Sequence, residues 1–101
     1  MTIELGGNIK LTGFRDFDPG SLMIVKKIVG NFVKKYSELE KIDELHLTVK
    51  PVHESEEKGK ARYEIHGRIL RNGKVITAED TSFNLFMTLS SVLGKLENEM
   101  K

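Results

Sequence analysis

The stretch ARYEIHGRILRNGKVITAEDTSFNLFMTLSSVLGKLENEM, Ala61 to Met100, decides the fold. At its centre, Arg71-Asn72-Gly73-Lys74 reads as a two-residue hairpin turn. Asn-Gly accepts the positive φ values that a tight turn with the twist of its strands requires. With that turn as origin, Arg71 faces Lys74, Leu70 faces Val75, Ile69 faces Ile76, Arg68 faces Thr77 and Gly67 faces Ala78. Alternation then puts Tyr63, Ile65, Ile69, Ile76 and Ala78 on one face, and Arg62, Glu64, His66, Arg68 and Thr77 on the other. The apolar face needs a cover, and the chain supplies one directly. At 100° per residue, Leu85, Phe86, Leu89, Val92, Leu93, Leu96 and Met100 form one helical stripe. Glu79-Asp80-Thr81-Ser82 offers capping groups just before it.

Upstream of this unit, Leu45, Leu47 and Val49 alternate with His46, Thr48 and Lys50, which predicts a third strand. Pro51 either ends its ladder or sits where a missing N–H is harmless. The run Glu54-Ser55-Glu56-Glu57-Lys58-Gly59 reads as a polar loop. Before it, a helix is predicted from Pro19 to about Leu39, capped by Asp18 with proline at the first helical position. Its apolar stripe is Leu22, Val25, Ile28, Val29, Phe32, Val33 and Tyr36, and Phe14 and Phe17 tuck the preceding loop against the core. Thr2 to Leu11 reads as one strand with a bulge at Gly6-Gly7. The fold class is therefore α+β, ordered β-α-β-β-β-α, with a four-stranded sheet and both helices packed on one face. A strip of Phe83, Met87, Ser90 and Gly94 on the last helix, with Gly30 as counterpart on the first, is read as helix-to-helix contact in preference to a self-association patch.

Composition bounds the function. The 101 residues form a single domain, 1–101, with 39% hydrophobic and 31% charged residues, which suits a folded, soluble chain. No apolar run approaches the ~18 residues of a membrane span, and no basic segment leads into an apolar one at the N-terminus, so the expected location is cytoplasmic. The absence of cysteine excludes disulfides, thiolate catalysis and thiolate-bound zinc. No serine stands in a strained glycine elbow, and no acid pair sits in an apolar setting that would split its pKa values. Asp16 and Asp18 are explained by capping, and His46 and His66, without a third ligand at metal spacing, by a solvated surface. The expectation is a non-enzyme with no catalytic residues, no metal and no cofactor.

Charge placement is more informative than charge total. Sixteen basic residues against fifteen acidic ones leave a net charge of +1, without the basic excess usual for nucleic-acid binding. The first helix nevertheless carries Lys27 and Lys34 opposite its apolar stripe, with Lys26 and Lys35 flanking them. Seven residues separate the first two, about 10 Å along the helix, a spacing that can follow a phosphate backbone. An ordinary solvated face is the competing reading.

The residues also resemble a family. Tyr63 to Glu97, YEIHGRILRNGKVITAEDTSFNLFMTLSSVLGKLE, is similar to the closing hairpin and helix of the short ribosome-hibernation factors, the ribosome-associated inhibitor group. Asn84-Leu85-Phe86 stands where that family has Asp-Met-Tyr, Leu89 stands where it has Ile, and Lys95-Leu96-Glu97 matches. Ile3-Glu4-Leu5-Gly6-Gly7-Asn8-Ile9-Lys10-Leu11-Thr12 resembles its first strand. Three departures stand out: Asn84 and Ser90 replace acids, Arg15 to Gly20 reads as an insertion, and Glu97-Asn98-Glu99-Met100-Lys101 replaces a basic tail. The resemblance implies a domain that sits on small-subunit ribosomal RNA. Together with lysine placement it assigns RNA contacts to Lys26, Lys27, Lys34, Lys35, Lys95 and Arg15. Two other classes remain open: a protein-interaction or self-associating module using the outer sheet face or the Phe83/Met87 strip, and a double-stranded-RNA binder. The oligomeric state is open between a monomer and a weak dimer.

Overall fold

The computed structural model describes residues 2–4, 8–15, 17–37, 42–53 and 61–100. In chain order the elements are β1 (Thr2–Glu4), β2 (Ile9–Thr12), α1 (Pro19–Ser37), β3 (Glu44–His53), β4 (Ala61–Arg71), β5 (Lys74–Ser82) and α2 (Leu85–Met100). The sheet keeps that order, β1-β2-β3-β4-β5. β2 runs parallel to β3 through the α1 crossover, and the other pairs are antiparallel. Strands β2 to β5 with the two helices form the expected β-α-β-β-β-α arrangement, and β1 adds a short edge to it.

That edge corrects the expectation of one bulged strand. Thr2, Ile3 and Glu4 pair with Thr12, Leu11 and Lys10, so the chain reverses direction between β1 and β2. Gly6 and Gly7 themselves lie outside the described residues, as do Glu54 to Lys60, where the polar loop was expected. A bulge and a reversal leave the same alternation in the sequence, because directly paired residues share a face.

The β4–β5 hairpin follows its turn chemistry. Asn72 has φ 50° and Gly73 φ 77°, and the register runs from Arg71 opposite Lys74 to Tyr63 opposite Ser82. Pro51 does not end its ladder, since β3 continues to His53 against Ala61. β2 stops opposite Thr48, so among the described residues the side of Pro51 away from β4 carries no ladder that its missing N–H would break.

One face of the sheet holds the core: Ile9, Leu11, Leu45, Leu47, Val49, Ile65 and Ile69 are buried. Val25 and Val29 of α1 and Leu85, Leu89, Val92, Leu93 and Leu96 of α2 close over them. Phe14 is fully buried, and Phe17 packs between it and Tyr63 with ring centroids at 6.0 and 5.7 Å. Gly67 explains how closely α2 approaches: a Cβ there would lie 2.8 Å from Leu96 Cδ1 and 2.8 Å from Val92 Cγ1.

Both helix starts are capped, one where expected and one not. Asp18 accepts from Ser21 N at 3.1 Å and from Ser21 Oγ at 2.7 Å, which holds its carboxyl below the usual carboxylate range. α2 is capped by Asn84, whose Oδ1 accepts from Met87 N at 3.0 Å. The acids expected to cap it belong instead to β5. Asp80 accepts from Ser91 Oγ, and this bond, with Thr81 N and then Lys95 nearby, lowers its carboxyl pKa. Buried Thr88 donates to the Asn84 carbonyl at 2.7 Å and meets Ser82 Oγ. The expected small-residue contact between the helices is also corrected. A Cβ at Gly30 or at Gly94 would meet nothing within 4 Å, and Phe83, Met87 and Ser90 are exposed. The helices meet instead through Lys35, whose Nζ lies 3.0 Å from Glu97 Oε2.

Candidate nucleic-acid interface

From Pro19 to Ser37, α1 contains four lysines and no acidic residue. Its inner stripe is fixed by Val25 and Val29, so the 100° repeat turns Lys27 and Lys34 to the outermost ridge, and both are exposed. Lys26 and Lys35 are exposed on opposite flanks of that ridge. Lys26 and Lys27 have no ion-pair partner among the described residues. Arg15 is exposed in the loop that leads into the helix.

The six sequence-predicted residues do not form one patch. Lys35 is held by Glu97 and lies 5.5 Å from the ring centre of Tyr36. Burial pushes the Tyr36 phenol up to about 12, and the neighbouring Glu97 carboxylate adds to the shift. Lys95 projects from the other flank of α2, toward β5. Its Nζ donates to the Glu79 carbonyl at 2.9 Å and lies 4.0 Å from Asp80 Oδ1. A phosphate approaching Lys35 or Lys95 must compete with these partners, whereas one approaching Lys27 meets an outward ammonium.

The opposite side of the domain is the uncovered sheet face, and sequence reasoning missed how its residues cooperate. Register places Lys10, His46, Arg68 and Thr77 in one row across four strands, and Thr12, Thr48, His66 and Glu79 in the next. His46 Nε2 is 2.7 Å from Thr12 Oγ1. His66 sits between two carboxylates, with Nε2 2.9 Å from Glu64 Oε2 and Nδ1 3.2 Å from Glu79 Oε2. Arg68 Nη1 is 3.4 Å from Glu44 Oε1. These groups border a shallow depression of about 570 Å³ lined by His46, Thr48, His66, Arg68, Thr77 and Glu79. Its charges largely neutralise one another, which suits a solvated sheet surface. Counting residues outward from the Asn-Gly turn was the signal that could have paired His66 with Glu79.

Among the described residues, no three His, Asp or Glu side chains are grouped to hold a metal ion. No described helix is long and apolar enough to cross a membrane. Against known proteins, no family model matches this chain and no curated sequence matches it.

Proposed function

We propose that this domain is a non-enzymatic, cytoplasmic RNA-binding protein that docks on structured RNA of the small ribosomal subunit through α1. The observation that carries the reading is α1 itself: four lysines, no acid, and an outer ridge on which Lys27 and Lys34 stand about 10 Å apart. Each ammonium that neutralises a phosphate releases counterions, so such a ridge produces affinity that falls steeply with salt. The similarity of Tyr63 to Glu97 to the ribosome-hibernation factors supports the choice of ribosomal RNA over other polyanions. Lys27 and Lys34 carry the main contact in this reading, with Lys26, Lys35, Lys95 and Arg15 adding to it.

The test is co-sedimentation with isolated small subunits, large subunits and whole ribosomes across a salt series. The domain should travel with small subunits at low salt and dissociate as salt rises. The Lys27→Glu/Lys34→Glu variant should bind far more weakly and with a shallower dependence on salt. Wild-type affinity in that variant would end the α1 reading. A second reading, a protein-interaction module, is favoured by one observation: Phe83 and Met87 remain 53% and 68% exposed. It requires indifference to the two lysines and sensitivity to Phe83 or Met87.

A further inference from the structure

β5 is an outer strand of the sheet, and among the described residues no strand pairs with its free edge. Register and one bond decide which backbone groups that edge presents. The Leu70 carbonyl turns toward β3, where it accepts from Asp43 N at 2.9 Å. Backbone groups alternate in direction along a strand, so Leu70 does not exchange bonds with Val75 opposite it. Ile76, Ala78 and Asp80 therefore bond to β4, and Val75, Thr77, Glu79 and Thr81 turn their N–H and C=O groups outward.

Part of this edge is closed from within the chain. Lys95 Nζ holds the Glu79 carbonyl at 2.9 Å, and Asp80 Oδ1 takes the Thr81 N–H at 2.8 Å. At the other end Asn72 and Gly73 turn the chain back into β4. Between these limits Val75 and Thr77 present two donors and two acceptors, and the Val75 side chain is 52% exposed. An unpaired edge of this kind is a template for another strand. Beside it, on the helix face, lies a depression of about 280 Å³ lined by Arg71, Asn72, Lys74, Ile76, Glu99 and Met100. Among the described residues neither Lys74 nor Glu99 has an ion-pair partner.

The open stretch is its own complement. A two-fold axis at Ile76 sets Val75 opposite the partner's Thr77 and Thr77 opposite the partner's Val75. The four outward donors of two copies then meet four acceptors, and Ile76 meets the partner's Ile76 on the helix face. Glu79 falls opposite the partner's Gly73, beyond the end of that strand, so Lys95 keeps its place. Moving the axis to Thr77 would set Val75 against a Glu79 carbonyl that Lys95 already holds. Moving it to Val75 would set Thr77 against the turn. Each copy also brings one unpaired ammonium, Lys74, and one unpaired carboxylate, Glu99, so the joined surface is neutral and each acid has a base to meet.

We propose that β5 pairs antiparallel with β5 of a second copy of this chain over Val75 to Thr77, which joins two five-stranded sheets into one. A longer foreign strand would run into Lys95 or the turn, whereas a second copy presents a stretch of the same length. The inference does not depend on the RNA reading. α2 turns Glu97 to α1 and Lys95 to β5, so pairing at β5 leaves the α1 ridge open.

A ladder this short buries far less than the ~800 Å² per partner of a standard interface, so half-association is expected at roughly 0.1–1 mM. Sedimentation equilibrium over a concentration series through that range should show monomer giving way to dimer. In the same series, amide exchange followed by NMR should slow at Val75 and Thr77. The amides of Ile76 and Ala78, already bonded to β4, should barely change. Thr77→Pro removes an outward donor and no bond to β4, and should weaken association by at least about tenfold. Val75→Lys should weaken it several-fold by setting like charges on both sides of the axis. A thermal melt of each variant confirms the fold. A monomer throughout the series overturns the inference. So does a dimer that leaves exchange at Val75 and Thr77 unchanged, or one that persists undiminished in folded Thr77→Pro and Val75→Lys. Slowing of these two amides by an added valine- and threonine-rich peptide, with the chain itself monomeric, assigns the edge to another protein and overturns it as well.

Discussion

α1 and α2 lie on the same face of one sheet and touch through Lys35 and Glu97, yet they are used differently. α2 buries Leu85, Thr88, Leu89, Val92, Leu93 and Leu96. Polar bonds to β5 pin its flank: Ser91 to Asp80, Lys95 to the Glu79 carbonyl, and Thr88 to Ser82. α1 buries Val25 and Val29 fully and leaves Leu22, Ile28, Phe32, Val33 and Tyr36 half-buried. Its Lys26, Lys27 and Lys34 are exposed, while Lys35 turns to Glu97. When one helix supplies most of the packing and the orienting hydrogen bonds, the outer surface of the other can carry a run of like charges.

The sharpest way to break that contrast is to place a charge under each helix. Leu96 is fully buried, so Leu96→Asp should abolish cooperative unfolding by desolvating a carboxylate at a cost of several kcal/mol. Phe32→Asp, at a half-buried site on α1, should leave a folded protein with a lowered midpoint, because the carboxylate can reach water. Equal loss in thermal melts would mean that α1 anchors the fold as much as α2 does. A smaller effect is expected at the contact between α2 and the sheet. Gly67→Val should cost about 1–3 kcal/mol in urea unfolding, since its Cβ would press Leu96 and Val92 out of their positions. An unchanged midpoint would show that α2 can lift from β4 without penalty.

How legible each part was depends on the range of the interaction that sets it. The β4–β5 hairpin was readable because Asn72-Gly73 meets a local backbone requirement and the register then follows by counting. The reversal between β1 and β2 was not, because pairing Ile3 with Leu11 keeps the alternation that a straight strand would show. Asn84 lost to Glu79 and Asp80 as the expected cap because nothing near Asp80 in sequence reveals its bond to Ser91, eleven positions on. The same holds at the candidate interface. The 100° repeat was enough to place Lys27 and Lys34 outside, whereas the hold of Glu97 on Lys35 spans 62 positions.

The Asp80 bond gives a pH-dependent form of the comparison. Its hydrogen bond from Ser91, then those from the backbone and the charge of Lys95, lower the carboxyl pKa from its usual 3.8. A depressed carboxyl pKa stabilises the folded state above the unfolded value, and the contribution is lost as pH falls through the folded value. Ser91→Ala should therefore cost about 1 kcal/mol near neutral pH, the ordinary worth of such a bond. The gap from wild type should narrow as the pH falls below the ordinary carboxyl value of 3.8. Asp18 also has a lowered pKa, but both proteins keep it, so the gap isolates Asp80. A gap that stayed constant across this range in urea titrations would mean that Ser91 acts by packing and not by binding the carboxylate.

The smallest expected effect is the most telling for α1. Lys27→Glu/Lys34→Glu changes the charge of α1 by four units, yet both side chains stand on the exposed ridge. Stability should move by no more than about 0.5 kcal/mol, the usual size of an exposed surface contact. Lys95→Glu changes the charge by only two units, but it removes the bond to the Glu79 carbonyl and sets a carboxylate beside Asp80. It should cost about 1 kcal/mol, more than the double reversal on α1. Urea midpoints of the three proteins, measured together at low salt, decide the order. If the α1 double variant is the less stable one, its lysines serve the fold, and a loss of RNA affinity in that variant no longer counts as loss of phosphate contact. If the order holds, the α1 ridge contributes little to folding, and binding measurements on the double variant report on the interface alone.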